Sequence, residues 1–184
     1  MKKLQANTSL PPFSYNTAWE DNISIYDTLK KADKTVIWVL RYIGCTTCRY
    51  DVHIATKRYE EFKEKGAQII FVMQSDKAHI QNEFKEERLP FDLICDPEMK
   101  IYHEFMIEAA KDKDELLGKK EFADKLFAKS PLIKEAGFEH GDYEGDEMQL
   151  PALFIINKDG NIDYAHYGEA IADMPNVDEI LAML

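Results

Sequence analysis

The sequence predicts an α/β fold, a central mixed β-sheet flanked by helices, and three observations carry that prediction. Residues 35–41 and 67–73 are unbroken β-branched and aromatic runs, the pattern of strands buried on both faces. Between them, Val52, Ala55, Tyr59 and Phe62 recur at helical spacing, so strand, helix and strand make a βαβ crossover with a parallel pair. Near the end, residues 152–157 and 161–167 flank Lys158-Asp159-Gly160, an Asp-Gly hairpin signal that adds antiparallel strands to the sheet.

The remaining elements follow in chain order. Residues 1–22, with Pro11-Pro12 and little periodicity, read as an N-terminal arm laid over the domain surface, and residues 23–31 read as a short helix. The helix opening at Thr46 is expected to run to Lys65, with Gly66 as its C-terminal stop. Residues 76–87 form an amphipathic helix capped by Ser75 or Asp76, residues 91–95 a short third strand, and Asp96-Pro97 opens another helix. Residues 111–148 read as a charged helical insertion ending in an acidic, glycine-containing loop, and its charge spacing predicts a solvated face. Asn176 caps a closing helix over 176–184. Without repeats or linkers, residues 1–184 read as one domain.

Composition narrows the function classes. A chain of 184 residues buries roughly 70% of its unfolded surface without staples. With 34 acidic against 23 basic residues the net charge is −11, which argues against nucleic acid or an anionic membrane as partner. No stretch has the length and apolarity of a membrane span, and the basic start lacks the apolar segment of a signal peptide. Three cysteines do not make a secreted disulfide framework, so the expectation is a reducing, cytoplasmic setting.

The chemistry concentrates on Cys45-Thr46-Thr47-Cys48, which follows Gly44 and opens a helix. Two intervening residues at a first helical turn bring the sulfurs within bridging reach, and the positive helix end favours thiolate. Arg41 and Arg49 add positive charge on either side. The alternative, half of a zinc site, lacks partners: Cys95 is isolated, and His53, His79, His103, His140 and His166 show no paired ligand spacing. No cofactor or metal is expected. Cys95 reads as a small buried side chain, His53 as an exposed helix histidine, and Trp38 and Phe71 as core.

Residues 40–49, Cys95-Asp96-Pro97, residues 150–160 and residues 164–175 together resemble the peroxiredoxin-like branch of the thioredoxin superfamily, the alkyl hydroperoxide reductase and thiol-specific antioxidant proteins. The resemblance spans residues 35–184 apart from the insertion and implies a thioredoxin-like fold. Peroxiredoxins look like Pro-x-x-x-Thr-x-x-Cys; here Cys48 takes the peroxidatic place and Cys45 the place of the threonine. The position of the peroxiredoxin arginine is Pro151, where thioredoxins carry a cis proline beside the dithiol, so a cis Leu150–Pro151 bond is expected. Residues 35–41 contain no aspartate of the kind that accepts a proton from a thioredoxin's resolving thiol.

The implied function is thiol–disulfide exchange, with Cys45 as nucleophile, Cys48 as resolving thiol, and Gly44, Thr46, Thr47, Arg41, Arg49 and Pro151 in support. One alternative is a hydroperoxide reductase with Cys48 peroxidatic; another is a non-catalytic redox sensor or binding scaffold. Expected partners are protein disulfides or hydroperoxides, a thioredoxin- or glutathione-type reductant and, compatibly, a second copy in a homodimer.

Overall fold

A computed structural model describes residues 2–184 except 86 and 87. The arm contributes β1 (Ser14–Tyr15), paired antiparallel with β2 (Ile23–Ser24), and α1 (Ile25–Leu29) follows directly. Then come β3 (Lys34–Val39), α2 (Thr46–Lys57), α3 (Tyr59–Glu64) and β4 (Ala67–Met73). Next stand α4 (Lys77–Phe84), β5 (Leu93–Cys95), α5 (Lys100–Glu104), α6 (Lys113–Leu117) and α7 (Lys120–Glu135). The chain closes with β6 (Ala152–Asn157), β7 (Ile162–Tyr167) and α8 (Val177–Met183). The sheet order is β5-β4-β3-β6-β7, with β3, β4 and β5 parallel and β6 and β7 antiparallel to their neighbours.

Each central strand is apolar on both sides, and the pleat divides its residues between two cores. Val36, Trp38, Ile69, Phe71, Leu153 and Ile155 meet Val52, Phe62, Ile80 and Ile180 from the helices on one face. Ile37, Val39, Ile70, Val72, Phe154 and Ile156 meet Leu29, Tyr102 and Phe105 on the other. Leu4, Leu10 and Tyr15 of the arm are buried in that second core, so the arm is packed structure rather than a loose cover.

Two helices differ from expectation. The helix expected over 46–65 breaks at Arg58, whose backbone (φ −108°, ψ 14°) leaves the helical region. Gly66 ends the second piece in the left-handed conformation at φ 69°, as its position required. The helix over 76–87 is capped by Asp76, which accepts from the His79 amide, and α4 ends at Phe84; residues 86 and 87 of that expectation lie outside the described residues. At α8, Asn176 and Glu179 form a reciprocal capping box.

Candidate active site

The site sits at the end of β3, where the chain turns into α2. Cys45 is the N-cap of α2 and Cys48 lies in its first turn, so both sulfurs stand by the positive helix end. Arg41 Nη2 lies 2.9 Å from Cys45 Sγ, and the Thr47 hydroxyl lies 3.1 Å from the same sulfur. Cys45 is held well below the ordinary thiol range, first by the Cys48 S–H that donates to it and then by Arg41 and Thr47, against the opposing effect of burial. Cys48 is pushed well above that range by burial, reinforced by the negative Cys45 beside it. The surroundings thus favour ionisation of Cys45 and disfavour that of Cys48.

The two sulfurs are less accessible than a loop-top position implies: Cys45 is 1% exposed and Cys48 4%. The last part of the insertion packs beside them, with Asp142 and Tyr143 solvated as expected and Glu144 enclosed. The Gly141 amide donates to the Gly44 carbonyl at 2.9 Å, and Arg41 Nη1 donates to the Glu147 carbonyl at 2.6 Å. Glu144, with only 8% of its side chain exposed, accepts from the Ser75 hydroxyl and the Asp76 amide, while Ser75 Oγ accepts from the Ile43 amide. His140 and Tyr143 pack against Tyr42 and each other with tilted or edge-on rings. Residues 139–147 thus form a cover over the dithiol. The insertion's helical part is fastened too: Lys129 of α7 pairs with Asp51 of α2 at 2.7 Å.

Two further site expectations need correction. Arg49 does not reach the sulfurs; its guanidinium is engaged by the Glu83 carboxylate, the Glu139 carbonyl and the Phe138 ring. Local spacing placed it near the pair, but a side chain one residue past Cys48 projects from another side of α2. The Leu150–Pro151 bond is trans rather than cis. Pro151 is buried against Gly168, accepting its amide through the Pro151 carbonyl, and the arginine on the thiolate comes instead from Arg41 at the end of β3. Gly44 and Thr46 flank Cys45 as expected, Gly44 buried and Thr46 half-buried.

Cys95 is half-buried on β5, its thiol raised to about 12 chiefly by burial. His53 is half-buried rather than exposed and lines a cleft with Arg49, Val52, Phe84 and Phe138. Trp38 and Phe71 stack 5.5 Å apart in the core. Asp76, His79 and Glu144 bring metal-ligand atoms within 4.8 Å of one another, but His79 Nδ1 already lies 3.0 Å from Asp76 and 3.2 Å from Glu144. That cluster fastens the cover to α4. Sequence reasoning missed Asp51, Ser75, Glu144 and Lys129; only Asp51, three residues beyond Cys48, carried a local signal.

The profile of the AhpC/TSA family matches residues 6–165. The chain belongs to the AhpC/TSA family. It is accordingly a thiol-dependent oxidoreductase on a thioredoxin-like fold. Among solved structures, a cysteine-to-serine mutant of peroxiredoxin 6 from Arenicola marina superposes at a TM-score of 0.72 with 13% identity, over 98% of this chain and 71% of that one. A yeast mitochondrial 1-Cys peroxiredoxin, described with a thiol-resolving mechanism through glutathione and thioredoxin systems, gives 0.65 and 15%, over 98% and 74%. Reduced Plasmodium vivax 2-Cys peroxiredoxin gives 0.65 and 13%, over 97% and 79%. No curated protein matches the chain by sequence. Among the described residues, no helix is long and apolar enough to cross a membrane.

Proposed function

We propose that this AhpC/TSA member is a hydroperoxide reductase that works through an intramolecular dithiol, with Cys45 as attacking thiolate and Cys48 as resolving thiol. The observation that carries the reading is geometric: Arg41 Nη2 lies 2.9 Å from Cys45 Sγ, where its charge favours the thiolate. That contact favours Cys45 over Cys48, the attacker in the peroxiredoxin-like alternative, because the thiolate is the nucleophile.

Cys45 S⁻ attacks the distal peroxide oxygen, the O–O bond breaks, and the alkoxide leaves to be protonated, giving an alcohol and a Cys45 sulfenic acid. Cys48 then loses its proton and attacks the Cys45 sulfur. Hydroxide departs as water, and a Cys45–Cys48 disulfide remains. Arg41 Nε is buried with no hydrogen-bond partner among the described residues, which leaves a donor beside Cys45 for the peroxide oxygens. A thioredoxin- or glutathione-type thiol reductant in a cytoplasmic setting would return both thiols.

Burial of both sulfurs favours a small hydroperoxide over a protein disulfide. Thiol–disulfide exchange is the second reading, supported by the C-x-x-C spacing at a helix N-terminus. Stopped-flow oxidation by hydrogen peroxide separates the two, using wild type, Cys45→Ser and Cys48→Ser and comparing with reduction of a model protein disulfide. The expected result is rapid sulfenic acid at Cys45, retained in Cys48→Ser. Slow peroxide oxidation with fast disulfide reduction would favour exchange, and fast sulfenic acid at Cys48 would overturn the assignment.

A further inference from the structure

The resolving step needs a proton taken from Cys48, a thiol that burial keeps protonated. The thioredoxin-type aspartate is missing from β3. The geometry points to Asp51, held by Lys129 of the insertion, as the group that accepts the Cys48 proton during disulfide closure. This rests on the reading of Cys48 as resolving thiol and extends it to residues outside the dithiol motif.

Cys48 and Asp51 stand at i and i+3 on α2, which puts their Cβ atoms about 5–6 Å apart on one face. The carboxylate is largely enclosed, with 15% of its side chain exposed, and its ion-pair partner Lys129 keeps 28%. A charged pair enclosed beside a redox thiol is costly to bury, and a structural tie between α2 and α7 could be made of apolar side chains at no greater cost. Its charges sense the dithiol: the Cys45 thiolate raises Asp51, and both cysteines raise Lys129. Burial is the largest influence on Asp51 and raises it, making it a stronger base than an exposed carboxylate, while Lys129 opposes that and favours the ionised form. Lys129 and the Cys45 thiolate are the charged groups acting on it.

Once Cys45 carries oxygen or a mixed disulfide, its negative charge is gone and Cys48 must ionise. The Cys48 S–H proton passes to the Asp51 carboxylate, Cys48 S⁻ attacks Cys45 Sγ, and the bond from Cys45 to its leaving group breaks. Asp51 returns to carboxylate by passing its proton to a leaving hydroxide or alkyl thiolate, or to water where the leaving group is an aryl thiolate. The dithiol loses two electrons and the substrate gains them.

The small aromatic disulfide DTNB isolates this step whichever oxidant is physiological. Attack by Cys45 releases one aryl thiolate and closure by Cys48 releases a second, so the two phases are read separately across pH. In Asp51→Asn the first phase should stay within about twofold and the second should slow roughly 100-fold near neutrality, recovering as hydroxide takes over at high pH. Asp51→Glu should restore much of the rate. Lys129→Met leaves burial unopposed, so its second-phase profile should move to higher pH, which keeps the test open if Asp51→Asn does not fold. An unchanged second phase in Asp51→Asn, equal slowing of both phases, or an unmoved Lys129→Met profile overturns the assignment. A wild-type protein that releases one equivalent overturns Cys48 as resolving thiol, and this inference with it.

Discussion

Arg41 binds the Cys45 sulfur through Nη2, at 2.9 Å, and the cover loop through Nη1, which donates to the Glu147 carbonyl at 2.6 Å. One side chain therefore stabilises the thiolate and holds residues 139–147 above it. Replacing it by methionine keeps the apolar stem and removes both functions. The pH at which Cys45 ionises should rise by roughly one unit, the scale of one lost opposite charge within hydrogen-bond reach. Mass-spectrometric iodoacetamide kinetics across pH checks this: the thiolate titration should move upward in Arg41→Met. An unmoved titration would assign the lowered Cys45 value to Cys48 and Thr47 alone.

Gly44 is fixed by its neighbour across the cover rather than by its own backbone angles. A Cβ there would lie 2.1 Å from the Asp142 carbonyl oxygen and 3.0 Å from its amide nitrogen, both backbone atoms. Gly44→Ala must therefore displace the cover, at a cost of about 1–3 kcal/mol for overpacking. Faster hydrogen exchange in residues 139–147 and several-fold faster alkylation of Cys48 should follow, with helix content by circular dichroism retained. Unchanged exchange would mean that the cover does not close on Gly44 in solution.

The elements that carry the dithiol were legible in sequence because their signals are local. Residues 35–41 and 67–73 had to be central strands, and a C-x-x-C after the first of them had to open a helix. The insertion was not legible in the same way. Helical charge spacing in residues 111–148 correctly indicated exposed surface on α7, where Phe127 and Leu132 also face solvent. It carried no trace of partners 69 residues away, as for Ser75 and Glu144, or 78 away, as for Asp51 and Lys129. A charge run is usually solvated, and only the folded chain reveals which members are enclosed. The same limit applies to the arginine at the thiolate: alignment placed Pro151 where the peroxiredoxin arginine stands, while β3 delivers Arg41 from another direction.

His79 makes the fastening of the cover pH-dependent. Nδ1 faces Asp76 and Glu144 at 3.0 and 3.2 Å, and Nε2 lies 3.6 Å from Asp142. These carboxylates, Asp76 foremost, raise the imidazole above its ordinary value. Because the folded-state value is the higher one, the stabilisation is fully present below the unfolded value of about 6.5 and is lost as pH rises through the folded one. Protection of residues 139–147, corrected for intrinsic exchange, should therefore fall above about pH 6.5. His79→Gln should flatten that dependence. Parallel curves for wild type and His79→Gln would remove His79 from the fastening.

Cys95 tests whether the chemistry stays within the C-x-x-C pair. It lies on β5, paired with Met73 of β4, and burial first, then Asp76, Glu144 and Asp21, raise its thiol to about 12 against the opposing effect of Lys77. At neutral pH almost none of it is thiolate, so it lacks the nucleophile that resolution requires. Iodoacetamide should label Cys95 far more slowly than Cys45 in the reduced protein. Cys95→Ser should keep peroxide turnover within about twofold of wild type, since the hydroxyl replaces a half-buried thiol that the proposed cycle does not use. After one equivalent of hydrogen peroxide, peptide mapping should find the Cys45–Cys48 disulfide with Cys95 free. A disulfide from Cys95 to either partner would move the resolving role to β5 and require the cover to open before closure of the bond.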